Sequence, residues 1–458
     1  MGFALSSPKL FEKRSVLPLA AEQVFDWHAR PGALERLIPP IDDVRIVERK
    51  GTIRPGDSVV LDIKKGPLRF TVRAEHGEWE PGRSFTDRMT QGPFSEWRHL
   101  HEFSPMSDSM CEMIDRIYYR PGALLRWKPG GVEADLKKGF DWRHERVRRD
   151  LARQVGDTPL TIVVAGGSGL VGSALIPFLT TAGHSVKQLV RREPRDDTEI
   201  VWRPSDGKFE GDVLRGVDAV VHLGGAGIAD KAWTDERKRV IRDSRVDSTR
   251  LLAKAIAATP QPRPAFICAS AIGYYGTGSD KPIDETAPAG AGFLADVCRE
   301  WEAATKAASE AGARVVNVRI GIVLTPRGGA LAALLPIFRS FVGGPAGSGD
   351  QVMSWIGLDD LIGVLHHAIR NQDVRGPINA TAPQPATNRE FSETLGRVLS
   401  RPSFAPAPAF AIKTVMGDRA QLVLEGARVL PKKLQESGFE FQEPNLEGAL
   451  KWELCEVD

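Results

Sequence analysis

The sequence predicts an α/β protein: a parallel sheet wound with helices, preceded by an α+β segment and followed by a small helical cap. Three observations carry this reading. The apolar run Thr161-Ile162-Val163-Val164-Ala165 leads directly into a glycine-rich turn and then a helical stretch. From residue 158 to about 400, strand-like and helix-like stretches alternate, as in a parallel α/β sheet. Residues 1 to about 155 differ, with short runs of alternating polarity divided by turn pairs, the pattern of an antiparallel sheet.

In the first segment, Phe11 to Leu17 reads as a strand and residues 20–28 carry apolar side chains at helical spacing. Alternating runs follow at 44–47, 58–63, 68–74, 97–103 and 111–118. Pro-Gly or Gly-Pro pairs at 55–56, 66–67, 81–82, 92–93 and 121–122 punctuate them, and a charged helical stretch from about Phe140 to Leu151 closes the segment. In the second segment, Val217 to Leu223, Pro264 to Ser270 and Arg314 to Val318 read as buried strands. Pro402, Pro406 and Pro408 mark the next boundary. Residues 401–458 then read as two short helical stretches and a helix ending at Gly438, a cap rather than an independent domain.

Length and composition bound the function. A chain of 458 residues is too long for one small core and predicts two or three domains. The net charge of +2 gives no reason to expect nucleic acid or an anionic surface as partner. Four scattered cysteines, Cys111, Cys268, Cys298 and Cys455, lack C-x-x-C spacing, which argues against a disulfide frame or zinc site and fits a reducing cytoplasm. No run spans a membrane and no signal peptide opens the chain. The start Met1-Gly2 with Ser6 formally matches a myristoylation pattern, one short enough to be frequent by chance.

The turn Gly166-Gly167-Ser168-Gly169-Leu170-Val171-Gly172 fits both G-x-G-x-x-G and G-x-x-G-x-x-G registers. Glycines let backbone N–H groups approach phosphate oxygens at a helix N-terminus, and a glycine inside the helix permits close packing on the strand. Ser185 to Val190 reads as the second strand, and Arg191 and Arg192 stand at its end. An acidic residue there accepts the ribose 2′-hydroxyl of NAD, whereas arginine suits a 2′-phosphate, so NADP(H) is the predicted cofactor. The alternative is a tight βα turn beside a solvated arginine pair.

Several stretches resemble the extended short-chain dehydrogenase/reductase family: "DAVVHLGGAGI" (218–228), "ASAIGYYG" (269–276), "VRIGIVL" (318–324) and "MSWIGLDDL" (353–361). The combination "WTDERKRVIRDSRVDST" (233–249), "GFLADVCREWEAA" (292–304), "GGPAGSGDQVMSWI" (343–356) and "LPKKLQESGFEF" (430–441) is similar to an atypical, nucleoside-diphosphate-sugar epimerase-like branch, sometimes labelled cell-division inhibitor. The resemblance implies a Rossmann-type domain over 158–400. It implies that Leu223 and Gly224 pass the adenosine portion of the cofactor through their backbone, that Arg245 contacts the cofactor, and that Val323 lies near the nicotinamide end. A surface salt bridge of Arg245 with Asp243 or Asp247 is the competing reading. Residues 1–155, with the opening "VFDWHARPGALERLIPP" (24–40), resemble the START-like (SRPBCC, polyketide cyclase-like) helix-grip fold, which implies a cavity for a hydrophobic ligand. Trp27, Trp79, Trp97 and Tyr118 are candidates to line it, with plain core packing as the alternative. His99 and His101 share one strand face, but further metal ligands are not identifiable, so packing or solvation is expected and no metal is predicted. Arg143, Arg146, Arg148, Arg149 and Arg153 of the closing helix read as a solvated face.

The resemblance also exposes a departure. The family uses Tyr-x-x-x-Lys, in which lysine lowers the tyrosine pKa so that it moves a proton near neutral pH. Anchored on Glu302, Leu294 stands in place of the tyrosine and Cys298 in place of the lysine. Ser270 and Tyr275 (or Tyr274) are the candidate replacements, with Asp296, Glu300 and a nucleophilic Cys298 as lesser ones. The expectation is an NADP(H)-binding oxidoreductase or epimerase-like protein acting on a small-molecule or hydrophobic substrate presented by the START-like domain. The alternative is a non-catalytic NADP-dependent sensor.

Overall fold

The computed structural model describes residues 7–66, 68–122, 131–207, 209 and 211–456. Met1-Gly2 with Ser6, and Pro67 of one expected turn pair, lie outside the described residues. Contacts divide the chain into two units, Met1–Thr158 with Thr180–Gly183 and Cys455–Asp458, and Pro159–Leu179 with His184–Leu454.

In the first unit, strands Lys9–Leu17, Asp43–Lys50, Ser58–Lys65, Leu68–Glu80, Ser84–Gln91, Phe94–Ser107 and Met110–Pro121 form one antiparallel sheet. The first strand pairs with the last, and the others follow as a meander. Helix Gly131–Gln154 packs its buried Val147 and Leu151 with Trp27, Phe85 and Phe103, closing a core on one face of the sheet. This is a helix-grip fold, and the strand Ser84–Gln91 is an addition to the sequence reading. Its residues, Ser-Phe-Thr-Asp-Arg-Met-Thr-Gln, offer just two large apolar side chains, Phe85 and Met89, on one face with Asp87 between them, and so no clear alternation.

The helix face is not simply solvated. Arg146 is buried, stacked over the Trp142 ring at 4.6 Å, and Arg143 stands over Phe140 at 4.9 Å. Asp150 of the same helix accepts both Nε and Nη2 of Arg36, at 2.7 and 2.6 Å, with both side chains buried. Arginines on this helix therefore anchor it, because a guanidinium can cover aromatic surface and satisfy its donors at once.

In the second unit, all ladder pairs of the main sheet are parallel. Its spatial order is Glu199–Val201, Ser185–Val190, Thr161–Ala165, Ala219–His222, Ala265–Ala271, Val315–Ile320, Gly376–Ala380. In chain order this is 3-2-1-4-5-6-7, the doubly wound arrangement. Both faces are covered: Ile162 and Val164 pack with Leu175, Phe178 and Leu361, whereas Val163 and Ala165 pack with Leu252, Ile256 and Phe266. Burial on both faces explains why these strands read as unbroken apolar runs. The order reverses between Thr161–Ala165 and Ala219–His222, and that reversal opens a crevice at their carboxyl ends.

The expected tail helix is instead a short strand, Ala427–Val429, parallel to Ser279–Ile283, followed by helix Lys432–Glu436. Leu434 joins the core beside Phe178, and Ala449 and Leu450 of helix Leu446–Glu453 pack with Phe391 and Leu395. Among the described residues no helix is long and apolar enough to cross a membrane, and all four cysteines are buried and unpaired.

The buried Arg36–Asp150 pair generates a stability prediction. Asp150→Ala removes the bidentate carboxylate from a buried guanidinium and should cost about 3–5 kcal/mol in denaturant unfolding of the first unit. Asp247→Ala, which breaks the exposed Arg250–Asp247 pair, should cost less than about 1 kcal/mol.

Candidate functional site

The strand Thr161–Ala165 ends directly in the glycine turn, and helix Gly172–Thr181 leaves from it. Gly166 has φ +86°, and a Cβ there would stand 2.7 Å from the carbonyl carbon of Leu223. A Cβ on Gly172 would stand 2.4 Å from the Gly166 carbonyl oxygen. The turn closes on itself through the Gly169 N–H donating to the Gly166 carbonyl at 3.0 Å. Among the described residues, no protein acceptor takes the N–H of Leu170 or Val171 at the helix start. Unpaired N–H groups at the positive end of a helix, ringed by residues without side-chain bulk, fit a pyrophosphate. Leu223 and Gly224 lie against Gly166, so their backbone passes the same crevice.

The two arginines after the second strand differ. Arg192 donates from both Nη atoms to Glu199, at 2.6 and 2.5 Å, and this pairing brings the Glu199 carboxyl down to about 2. Arg191 is exposed and, among the described residues, its guanidinium has no partner. Arg191 is therefore the one free to meet a phosphate, and Arg192 pins the loop that presents it.

Arg245 points inward, not to Asp243 or Asp247, which pair with Arg242 and Arg250. It donates to the Ala226 and Ile241 carbonyls at 2.9 Å each and stacks over Trp301 at 5.2 Å. Ser244 accepts the Ala226 N–H at 3.0 Å. Together they hold the loop that follows Leu223. Beneath it, buried His222 faces Ser248 through Nε2 at 2.9 Å, and the Ser248 hydroxyl donates to the Ser244 carbonyl. The Gly224 N–H reaches His222 Nδ1 at 3.4 Å. This pattern suits neutral imidazole, and burial, with Arg245 nearby, lowers its pKa to about 4.

Helix Phe293–Ala303 brings Leu294 and Cys298 to Gly273, four residues apart on one face. The family's tyrosine and lysine positions thus do reach the end of strand Ala265–Ala271, carrying the wrong side chains. Burial raises the Cys298 thiol to about 11, which removes it as a thiolate nucleophile. Ser270 and Tyr275 enter a buried network that the sequence reading missed. The Ser270 hydroxyl donates to Glu302 at 2.7 Å. Glu302 accepts Arg319 Nε and Nη2, both at 2.8 Å. Arg319 Nη1 donates to the Tyr275 hydroxyl at 2.8 Å, which donates to Asn379 Oδ1 at 2.7 Å. Burial raises the Tyr275 pKa. Arg319 was discoverable in principle: it is the single charge in the apolar strand "VVNVRI". Tyr274 differs from its neighbour. Arg319 stacks on its ring with 3.5 Å from Cζ to the centroid, and its hydroxyl has no protein partner among the described residues. Val323 lies on strand Ile322–Leu324, and its carbonyl is 3.7 Å from a Cβ built on Gly329. Leu170 of the glycine turn packs against the adjoining Gly328.

In the first unit, a cavity of about 390 Å³ opens beside the helix. Trp97 lines it, as expected, together with Phe85, Phe94 and Phe140. Trp27, Trp79 and Tyr118 do not: Trp27 is wholly buried in the core, while Trp79 and Tyr118 lie more than a third exposed. His99 and His101 line the cavity and are neither solvated nor simply packed. Both face Asp87 and Asp115, carboxylates supplied by neighbouring strands.

The sheet order and the glycine turn define a dinucleotide-binding α/β protein fused to a helix-grip domain. Residues 162–380 match the NAD dependent epimerase/dehydratase family, 17–145 match polyketide cyclase / dehydrase and lipid transport, and 407–453 match a domain of unknown function, DUF1731. The chain is 42% identical over 290 residues to Epimerase family protein Mb2239 of Mycobacterium bovis, a stretch covering 63% of this chain and 96% of that protein. It superposes with a TM-score of 0.79 and 31% identity on a nucleoside-diphosphate sugar epimerase from Corynebacterium glutamicum, covering 97% of this chain and 90% of that one. Human epimerase family protein SDR39U1 (isoform2), crystallised with NADPH, matches at 36% identity and a TM-score of 0.61 over 65% of this chain and 99% of its own. The chain belongs to the NAD-dependent epimerase/dehydratase family.

His222 generates a pH prediction. Its folded pKa of about 4 lies below the ordinary imidazole value of 6.5, so the unfolded chain binds more protons between these limits. The stability contribution is whole above about pH 6.5 and is lost as pH falls toward 4, by up to about 3 kcal/mol. His222→Gln should flatten this part of the pH profile, read as the difference between wild-type and variant unfolding at pH 7.5 and 4.5.

Proposed function

We propose that the chain binds NADP(H) at the glycine turn and serves as an oxidoreductase or epimerase-like enzyme that does not use Tyr-x-x-x-Lys. The observation that carries this is the turn itself. Its close backbone approaches at Gly166 and Gly172 exclude any side chain, and the N–H groups of Leu170 and Val171 await an acceptor. Arg191 receives the 2′-phosphate, and the backbone of Leu223 and Gly224 lies beside the adenosine portion. When bound, the cofactor supplies or accepts a hydride. The chain then needs one proton-bearing group at the strand ends. Ser270 and Tyr275 are held by Glu302, Arg319 and Asn379, which makes them positioning residues. Tyr274, with its hydroxyl unpaired and Arg319 on its ring, is the group we assign to donate the proton to a substrate oxygen.

The same commitment of Ser270 and Tyr275 supports a second reading, a cofactor-dependent sensor that binds a hydrophobic ligand in the first unit's cavity without turning it over. Fluorescence titration separates the parts. Gly166→Val should abolish NADPH binding, and Arg191→Glu should weaken NADPH by about 10–100-fold while leaving NADH little changed, the worth of one charge-assisted contact. A wild-type chain that ignores NADPH overturns both readings. In a screen of carbonyl, enone and sugar-nucleotide substrates, Tyr274→Phe should lower kcat by about 10²–10⁴-fold with NADPH affinity intact. Tight NADPH binding with no turnover of any class favours the sensor. That reading in turn requires the cavity ligand's Kd to change with cofactor occupancy.

A further inference from the structure

The cavity of the first unit carries a polar cluster that neither the family nor the cofactor site accounts for. Asp87 lies on strand Ser84–Gln91, His99 and His101 on Phe94–Ser107, and Asp115 on Met110–Pro121. Asp115 Oδ1 stands 2.8 Å from His99 Nε2 and 2.7 Å from His101 Nδ1, and its Oδ2 stands 2.7 Å from His144 Nε2. The His99 and His144 contacts are short hydrogen bonds that hold both rings against Asp115, and the same carboxylate stands against the Nδ1 side of His101. The remaining nitrogens, His99 Nδ1 and His101 Nε2, both face one atom, Asp87 Oδ2, at 3.3 Å each.

Those two distances are the informative ones. They exceed the 2.7–2.9 Å usual for a nitrogen–carboxylate hydrogen bond. Two donors each about 2.1 Å from one ion, in tetrahedral array, stand about 3.4 Å apart. The three donor atoms lie within 4.8 Å of one another, and all three residues line the cavity. Two imidazole nitrogens and one carboxylate oxygen thus converge at the spacing of ligands around a single ion, and an ion bound there displaces the hydrogen that His101 Nε2 shares with Asp87.

We propose that Asp87, His99 and His101 bind one divalent first-row transition-metal ion, with Asp115 as the outer carboxylate that orients both histidines. Two imidazoles and one carboxylate suit Zn²⁺, Fe²⁺ or Co²⁺, and leave coordination positions open. Those positions face an otherwise largely apolar cavity, so the site fits a hydrophobic ligand carrying an oxygen donor. Asp115 acts through the rings, as carboxylates behind metal-bound histidines do.

The test uses the full chain, without an affinity tag of histidines, stripped by chelator and titrated with Co²⁺ and Zn²⁺. The expected result is one equivalent bound, with the visible absorption of four- or five-coordinate Co²⁺. Asp87→Asn and His101→Ala should each weaken binding by about 100-fold or more, and Asp115→Asn by about 10–100-fold. Asp87→Asn keeps the side chain's size, so it decides the matter if the histidine variant fails to fold. Failure of the stripped chain to bind a stoichiometric ion overturns the proposal. So does binding that survives unchanged in Asp87→Asn and His101→Ala, since the ion then sits elsewhere. Neither outcome bears on NADPH binding, which is read separately.

Discussion

The bidentate ion pair between Glu302 and Arg319 organises the carboxyl end of the α/β sheet. A guanidinium this deeply buried requires a fully paired acceptor, since stranding either charge is costly. Glu302 meets that demand from helix Phe293–Ala303, and the pair recruits Ser270 on one side and Tyr275 on the other. Through Asn379, which donates to the Leu430 carbonyl, the network also reaches the C-terminal segment. The same pair sets the polar surroundings of the neighbouring side chains. It engages the hydroxyls of Ser270 and Tyr275, and it places a cation on the ring of Tyr274.

Beside this network, the cofactor crevice depends on backbone proximity. The segment 223–228 is irregular, lies against Gly166, and is held from behind by Arg245, Ser244 and Arg237. Arg245 has carbonyls as acceptors and no carboxylate partner among the described residues, so its role is to shape a loop. Arg192 works alike on the loop that carries Arg191. Much of the positive charge near the crevice thus fixes backbone, leaving a small number of groups free for a phosphate.

The helix-grip unit follows a different logic. Its cavity is apolar over most of its wall, yet its floor concentrates histidines and carboxylates in the interior of a sheet. Burying such groups is expensive unless they satisfy one another. Here they do so through Asp115, which serves three imidazoles at once and lowers its own pKa far below the usual carboxylate range.

By itself the sequence determined the order of elements in the α/β unit, the glycine turn with its arginines, and the absence of the tyrosine–lysine pair. These are local matters: glycine spacing, unbroken apolar runs and residue identity at fixed intervals along one helix. Tertiary structure decided which polar groups meet. Ser270 and Glu302 are 32 positions apart, and Tyr275 and Asn379 are 104 apart, so no periodicity links them. The strand Ser84–Gln91 shows the limit most clearly. Without its alternation being legible, Asp87 had no place, and His99 and His101 read as a pair with nothing to bind. Antiparallel pairing sets Asp87 opposite His99 and Asp115 opposite His101. A sheet register, fixed by hydrogen bonds between strands distant in sequence, therefore assembled the cluster that linear spacing could not reveal.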